Sequence, residues 1–339
     1  MKSKKQLRVV LSAVLFAGAG LASAQTQASK PKWTSGTTSL SDLSDEEFQS
    51  RLLTPEQMAE SIRMAQSMPR MSLSEEAAGP GPAFDWREKG IETPVRDQGK
   101  CGSCWAFSMA GAEELQLLIK KPDVYGQPGA EAVRSVQALV SCNTSMKACQ
   151  GGTLNANYLK DPGLPAESAY PYSSGGGEVK KCGEGASDPE WGGKTEKISD
   201  WGYVNPTVDE MKKALGQYGP IPSSMMVFDD FKSYKGGVYT KTDGAKFLGG
   251  HAILVVGYDD GDGSFIVRNS WSTGWGEKGY FKIAYSQVEC SLWDVLFGHK
   301  RVNFGCATIA YNMKGGKSEP LLSLDSSEKA LGLLSRPLP

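Results

Sequence analysis

The sequence is poor in histidine, which limits the metal sites that the protein can form. Only His251 and His299 occur among its 339 residues. Two histidines exclude a multi-histidine metal centre, and the seven cysteines lack the duplicated Cys-x-x-Cys motifs that hold structural zinc. We therefore expect no metal and no other cofactor.

An excess of charge of either sign is also missing. The 37 Lys and Arg residues nearly balance the 38 Asp and Glu residues, which gives a net charge of −1. This balance gives no indication of a nucleic-acid or membrane-surface partner. The length allows one large domain or two small ones.

The apolar run near the N-terminus, residues 9–22, is too short to span a membrane comfortably. Basic residues precede it, and Ala22-Ser23-Ala24 ends it with small side chains. This pattern indicates a secretory signal at residues 1–24, with an uncleaved anchor as the alternative. The run, rich in Ala and Gly, resembles bacterial signals. We therefore expect a secreted or periplasmic protein without membrane contact after signal removal, in a compartment where disulfides form.

One stretch of the sequence has the features of a nucleophilic site. A glycine-rich segment leads into Cys104, and apolar periodicity from Phe107 to Ile119, stopped by Pro122, predicts a helix of about four turns. The N-terminus of a helix favours an anion, so we expect a lowered thiol pKa and a reactive thiolate at Cys104. Gln98 would place an amide donor where an oxyanion forms, which indicates acyl transfer.

The rest of the chain predicts helices first and strands afterwards. A second helix is expected at 130–140. Four strands are expected at 236–240, 251–256, 264–268 and 279–283, and a hairpin turn at 259–263.

Four motifs, in this order, resemble the papain/cathepsin family of cysteine peptidases. They are Cys101-Gly102-Ser103-Cys104-Trp105, Gly249-Gly250-His251-Ala252, Asn269-Ser270-Trp271 and Gly274-Trp275-Gly276. The resemblance covers roughly residues 84–311. It implies an α+β, papain-like two-lobe fold with a helical left lobe at about 104–191 and a β-barrel-like, strand-rich right lobe at about 198–311. The active site would lie in the cleft between the lobes.

The resemblance implies a catalytic role for four residues: Cys104, His251, Asn269 and Gln98. Cys104 would be the nucleophile, His251 its imidazolium partner and general acid, and Asn269 the residue that orients the histidine ring. Gln98 and the Cys104 backbone N–H would form the oxyanion hole, with Trp271 and Trp105 as supporting residues. The expected activity is that of a secreted cysteine endopeptidase that works through an acyl-enzyme. An exopeptidase is disfavoured because the histidine-bearing loop of some relatives is not visible.

Seven further positions match the substrate-binding surface of the family: Gly151, Gly152, Thr153, Leu154, Ser224, Ala252 and Trp275. The backbone at 151–152 would pair with an extended substrate. Thr153, Leu154, Ser224 and Ala252 would line an apolar pocket for the second residue before the cleaved bond. Trp275 would form a platform on the leaving-group side. The expected partners are peptide or protein substrates, bound by a monomer.

Residues 25–82 resemble a short inhibitory prosegment, so we expect a zymogen that carries its own inhibitor. Ser44-Asp45-Glu46-Glu47 and Thr54-Pro55-Glu56-Gln57 have the form of capping boxes and predict two short helices. A disordered leader is the alternative. The peptidase domain would occupy 83–311, followed by a flexible or removable tail at 312–339.

Seven cysteines leave one unpaired, and Cys104 is the natural free thiol. The resemblance implies the pairs Cys101–Cys149 and Cys142–Cys182. Cys290 and Cys306 depart from the family pattern. We expect them to pair across an insertion, with an intermolecular bond as the alternative.

Three other functions stay open on the sequence alone. The first is a thiol–disulfide exchanger that uses Cys101 and Cys104, which a disulfide at Cys101 would exclude. The second is a catalytically silent peptide-binding homologue, which covalent labelling of Cys104 would distinguish. The third is an acyltransferase or peptide ligase with the same catalytic residues, which only product analysis would reveal.

Overall fold

The computed structural model describes residues 33–74, 81–127 and 129–315. Outside these ranges lie the predicted signal, residues 25–32 and 75–80 of the expected prosegment, and nearly all of the expected tail. The described residues all fall within one compact unit.

The described residues form eleven strands and seven α-helices. The strands are β1 Trp33–Ser35, β2 Ala83–Asp85, β3 Leu164–Pro165, β4 Thr195–Glu196, β5 Ile198–Val204, β6 Ile221–Phe228, β7 Tyr234–Tyr239, β8 Phe247–Asp259, β9 Ser264–Arg268, β10 Tyr280–Ala284 and β11 Thr308–Met313. The helices are α1 Asp45–Gln49, α2 Pro55–Ser67, α3 Cys104–Lys120, α4 Pro122–Tyr125, α5 Val136–Cys142, α6 Asn157–Lys160 and α7 Val208–Tyr218.

The helix α3 is the central helix of the molecule, and nearly all of its side chains are buried. It begins at Cys104 and ends just before Pro122, as the sequence predicts. At its middle, the fully buried Glu114 forms ion pairs with Arg96, which precedes α3 in the chain, and with Arg268, which ends β9. These pairs connect the helical part of the chain to the sheet.

The predicted helix at 130–140 is wrong at its start. The helix α5 begins only at Val136, because the Ser135 side chain caps it by accepting a hydrogen bond from the Ala138 N–H at 3.0 Å. The preceding residue, Arg134, instead forms a β-bridge with Ala166. Ser135 is a local capping signal that apolar periodicity alone does not reveal.

Seven strands form the main sheet in the order β1-β7-β10-β9-β8-β2, with β6 also paired to β8. The four strands predicted from the sequence correspond to β7, β8, β9 and β10, and the predicted turn joins β8 to β9. Within the described residues this sheet stays open, since β1 ends one edge and β2 and β6 end the other. The two-lobe α+β expectation is confirmed, whereas the strand-rich lobe is not a closed barrel.

The N-terminal segment, residues 33–74, is folded against the rest of the molecule. The strand β1 pairs antiparallel with β7, and both α1 and α2 begin with the predicted capping boxes. Phe48, Met58 and Ile62 of this segment are each at most 1% exposed. The alternative of a disordered leader is therefore wrong for residues 33–74.

The structure contains three disulfide bonds: Cys101–Cys149, Cys142–Cys182 and Cys290–Cys306. These are the pairs that the sequence analysis expects. Among the described residues, Cys104 is the free cysteine.

Candidate active site

Cys104 is the first residue of α3, and the fold brings it against the strand that carries His251. Its sulfur interacts with the backbone N–H of Ala252, the residue after His251 on β8. The thiol is fully buried. The fold thus brings Cys104 beside the residue that follows His251, although Cys104 and His251 are 147 positions apart in the sequence.

The His251 ring is fixed by Asn269 and Trp271. Its Nε2 lies 2.8 Å from Asn269 Oδ1, and the same oxygen accepts a hydrogen bond from the Ser270 N–H at 2.7 Å. Since Oδ1 only accepts, Nε2 carries the proton. Trp271 stacks on the ring at 4.5 Å between centroids, and it is fully buried. Nδ1 has no hydrogen-bond partner among the described residues, so it is the nitrogen left for the sulfur.

Hydrogen bonds fix the orientation of the Gln98 side-chain amide. Its Oε1 accepts hydrogen bonds from Ser270 Oγ at 2.8 Å and from Trp271 Nε1 at 3.1 Å. Its Nε2 therefore points the other way and donates to the carbonyls of Arg51 and Cys101, each at 2.8 Å. The sequence analysis missed the role of Ser270, although this hydroxyl lies within the quoted Asn269-Ser270-Trp271 motif.

The Arg51 carbonyl, which belongs to the N-terminal segment, thus accepts a hydrogen bond from Gln98 Nε2, the donor that is expected to bind an oxyanion. Next to it, Leu53 exchanges two backbone hydrogen bonds of 2.7 Å with Gly250, beside His251. The Arg51 guanidinium forms an ion pair with Asp97 at 2.9 Å. Sequence reasoning could not identify Arg51, because a backbone carbonyl has no signature in the side-chain pattern.

The expected lowering of the Cys104 pKa is wrong for this covered form. Burial raises the pKa of the thiol to about 11, and this effect outweighs the hydrogen bonds from Ala252 and Trp105 that favour the thiolate. Burial also lowers the pKa of His251 to about 4, against the opposing contribution of Asn269. Both groups are consequently neutral near pH 7 while the N-terminal segment covers them.

Gly151 and Gly152 have no room for a side chain. A Cβ on Gly152 would lie 2.7 Å from the ring of Trp105, and Gly151 has a φ of +107° with the Gln57 amide against it. Trp105 thus supports the backbone of this segment from below, while Gln57 of α2 covers it. Glycine at both positions lets a polypeptide approach the backbone closely.

The expected pocket residues lie on both sides of the cleft. Ser224 on β6 is directly opposite Ala252 on β8, and both are at most 2% exposed. Thr153 and Leu154 are also buried, and Thr153 Oγ1 lies 3.7 Å from the sulfur of Met64 on α2. Trp275 is fully buried in an aromatic cluster with Phe231 and Tyr234, so it presents no open platform in this form.

The geometry of the site agrees with a family match. The family model described as papain family cysteine protease matches residues 81–297. The chain belongs to the papain family of cysteine proteases.

Relatives within the papain family share about a third of the aligned residues. A cathepsin L-like proteinase of Phaedon cochleariae is 36% identical over 256 residues, which are 72% of this chain and 71% of the relative. Cathepsin J of Mus musculus is 37% identical over 212 residues, which are 59% of this chain and 59% of the relative. The match thus spans less than two thirds of the length of cathepsin J.

Solved structures of papain-family proforms share the fold. Digestive procathepsin L2 proteinase from Tenebrio molitor larval midgut superposes with a TM-score of 0.63 at 28% identity, covering 83% of this chain and 84% of that structure. A procathepsin B from Trypanosoma congolense gives 0.67 at 22% identity, covering 84% and 94%, which supports the fold alone. Within the described residues of this chain, no helix has the length and apolar character needed to cross a membrane.

Proposed function

We propose that the protein is an exported cysteine endopeptidase, made as a zymogen whose N-terminal segment is an inhibitory prosegment. One observation carries this proposal: the fixed amide of Gln98 donates to the carbonyl of Arg51, beside Cys104 and the His251–Asn269 pair. A backbone carbonyl on this donor corresponds to the oxygen of a substrate held for attack.

The proposed chemistry begins once the prosegment has left and water reaches the cleft. The burial that holds Cys104 and His251 neutral is then relieved, so the proton moves from the sulfur to Nδ1 of His251. The thiolate attacks the substrate carbonyl, and Gln98 Nε2 with the Cys104 backbone N–H stabilises the oxyanion. The imidazolium protonates the leaving amine, and water then hydrolyses the acyl-enzyme with His251 as the base.

Asn269 and Trp271 have positioning roles in this scheme. The 2.8 Å hydrogen bond from Nε2 to Asn269 Oδ1 keeps Nδ1 directed at the sulfur. The stacked Trp271 excludes water from this bond, and a hydrogen bond in a drier site is stronger.

The prosegment crosses the cleft in the direction opposite to a substrate. Its chain passes Trp271 at Phe48, reaches Gln98 at Arg51, and then covers Gly151 with Gln57. A substrate whose N-terminal side pairs with Gly151 and Gly152 would run the other way. The reversed chain occupies the site without presenting a correctly oriented peptide bond to Cys104, which accounts for inhibition without cleavage.

The disulfides support export and weigh against a redox function. Cys101 is bonded to Cys149 and is fully buried, so it is not available for exchange with Cys104. Three disulfides within the described residues agree with an oxidising compartment, outside the cell or in the periplasm.

Covalent labelling with product analysis tests the proposal. The full-length chain is brought to mildly acidic pH with a reductant and treated with a peptidyl epoxide, and the labelled peptide is mapped. We expect one label, on Cys104, and loss of peptide hydrolysis in step with labelling. Hydrolysed peptides as the main product support a peptidase, whereas transfer of the acyl group to an added amine favours the ligase alternative. Labelling without any turnover favours the peptide-binding homologue.

A further inference from the structure

Two large aromatic side chains are exposed on the segment closed by the Cys290–Cys306 disulfide. This segment, residues 290–306, is called the insertion loop below. Trp293 is 65% exposed and Phe297 is 69% exposed, with ring centroids 6.3 Å apart. Within the described part of the chain, the other exposed large hydrophobic residues are the smaller Val124 and Val179. Neighbouring exposed aromatics on the surface of a folded domain indicate a contact surface.

The insertion loop is a fixed structure. The buried carboxylate of Asp294 accepts hydrogen bonds from the backbone N–H groups of Lys300 and Arg301 at 3.1 and 3.0 Å, and from Asn303 Nδ2 at 2.8 Å. Asn303 Oδ1 in turn accepts from the Ser291 N–H at 2.8 Å. The two rings are therefore presented on a rigid turn, at little cost in conformational entropy on binding.

The insertion loop borders the cleft on the side of the predicted substrate pocket. Ser224 accepts two hydrogen bonds, from the Gly305 N–H to its carbonyl at 2.9 Å and from the Ala307 N–H to its hydroxyl at 3.0 Å. The Val302 carbonyl accepts from the Met226 N–H at 2.6 Å. On its cleft side, the turn Asp294–Gly298 packs against α2 of the prosegment.

We propose that the insertion loop extends the substrate groove on the N-terminal side of the cleaved bond, and that Trp293 and Phe297 bind an apolar side chain of an extended polypeptide there. The inference rests on the proposed peptidase function. A polypeptide substrate is the expected ligand because the loop surface is continuous with the cleft. The helix α2 covers the inner side of the loop, so when α2 leaves, the pocket at Ser224 and the loop surface form one groove. The two rings are open even while α2 is in place, so they are not part of the inhibitory contact.

The test compares a short and a long substrate. The short one is a dipeptidyl fluorogenic amide, which ends at the pocket of Ser224 and Ala252. The long one is a twelve-residue peptide with phenylalanine five to seven residues before the cleaved bond, beside the same peptide with serine there. The enzyme is the processed form of the full chain carrying Trp293→Ala with Phe297→Ala. The matched control is Val124→Ala with Val179→Ala.

We expect the double aromatic variant to lose about tenfold in kcat/KM on the phenylalanine peptide, mainly through KM, as for loss of an apolar contact. Its activity on the dipeptidyl amide should equal that of the wild type, which also shows that it folds. The valine control should match the wild type throughout. The wild type should cleave the serine peptide at the rate of the variant.

Equal kcat/KM for wild type and variant on both long peptides overturns the inference while leaving the peptidase function intact. A wild type that cleaves neither the long nor the short substrate refutes the peptidase function instead. Two other occupants of the rings are measured in parallel, by sedimentation with phosphatidylglycerol vesicles and by molar mass in solution. Vesicle binding or dimerisation that depends on the two rings, with unchanged peptide cleavage, also overturns the inference.

Discussion

Gln98 has every polar atom of its side chain satisfied, and each bond restricts its role. Two donors hold Oε1, which leaves Nε2 directed into the cleft. The residue is fully buried, so its amide acts in a site with few competing waters. A preorganised donor of this kind contributes mainly where charge develops during the reaction.

Replacing Gln98 with alanine should lower kcat of the processed enzyme by about 10²–10³-fold, with little change in KM, because the lost hydrogen bond forms chiefly in the transition state. Steady-state kinetics on a dipeptidyl fluorogenic amide provide the measurement. Ser270→Ala is the matched control, since it removes one of the two donors that orient Gln98 and should cost much less. If the two variants lose kcat equally, Nε2 does not act directly on the oxyanion.

At the scale of elements, the prosegment is held by side chains that fill the leaving-group side of the cleft. Phe48 of α1 is fully buried and packs edge-on against Trp271 at 5.1 Å. Truncation of a buried phenylalanine commonly costs about 3–5 kcal/mol. Here the loss weakens the closed form relative to the open one, since Phe48 leaves with the prosegment.

The variant Phe48→Ala should therefore mature faster than the wild type and at a higher pH. The rate of prosegment loss, followed by gel or mass spectrometry across pH 4–8, checks this expectation. Gln66→Ala, on the exposed face of α2, serves as the control and should mature at the wild-type rate. An unchanged maturation rate in Phe48→Ala would mean that this packing does not limit opening.

Local signals in the sequence are sufficient for several elements. Capping boxes locate the starts of α1 and α2, and the hairpin turn defines the junction of β8 and β9. The four motifs identify the residues that meet at the cleft. The predicted start of α5 is wrong because the apolar periodicity of the sequence continues upstream of the Ser135 cap.

The ionisation of the site could not be predicted from the sequence near Cys104. The helix N-terminus favours a thiolate, but burial in the folded chain outweighs this effect and raises the pKa of the Cys104 thiol to about 11. The contact between Arg51 and Gln98 could not be predicted either, because it uses the backbone carbonyl that every residue carries. The wrong thiol pKa and the missed Arg51 contact both depend on tertiary structure, which the local sequence does not encode.

The stability of the whole covered molecule depends on pH, because His251 and Cys104 bind protons differently in the covered form and in the unfolded chain. The pKa of His251 is lowered from its ordinary value of 6.5 to about 4. As the pH falls, the unfolded chain therefore binds a proton at His251 at a higher pH than the covered form does. The contribution of His251 to stability is present above pH 6.5 and is lost as the pH falls through about 4. The pKa of Cys104 is raised from 9.0 to about 11, so its contribution is present below pH 9 and is lost as the pH rises through about 11.

The free energy of unfolding of the proprotein should therefore fall between pH 6.5 and 4 more steeply than in His251→Gln. Urea unfolding at half-unit pH steps, carried out in the Cys104→Ala background to prevent cleavage, measures the difference. The same background should flatten the alkaline limb between pH 9 and 11. Parallel acid limbs with and without His251 would show that other groups control the acid response.

The measurement that tests the central claim most directly is an intact-mass time course of the purified proprotein at mildly acidic pH with a reductant, beside Cys104→Ala. The account predicts that the wild type loses the residues up to about Pro82 and that the variant stays intact. Processing of both proteins at the same rate would show that Cys104 does not perform the cleavage. If neither is processed, and a chain that starts at Pro82 also hydrolyses no peptide, the account of an active peptidase is contradicted.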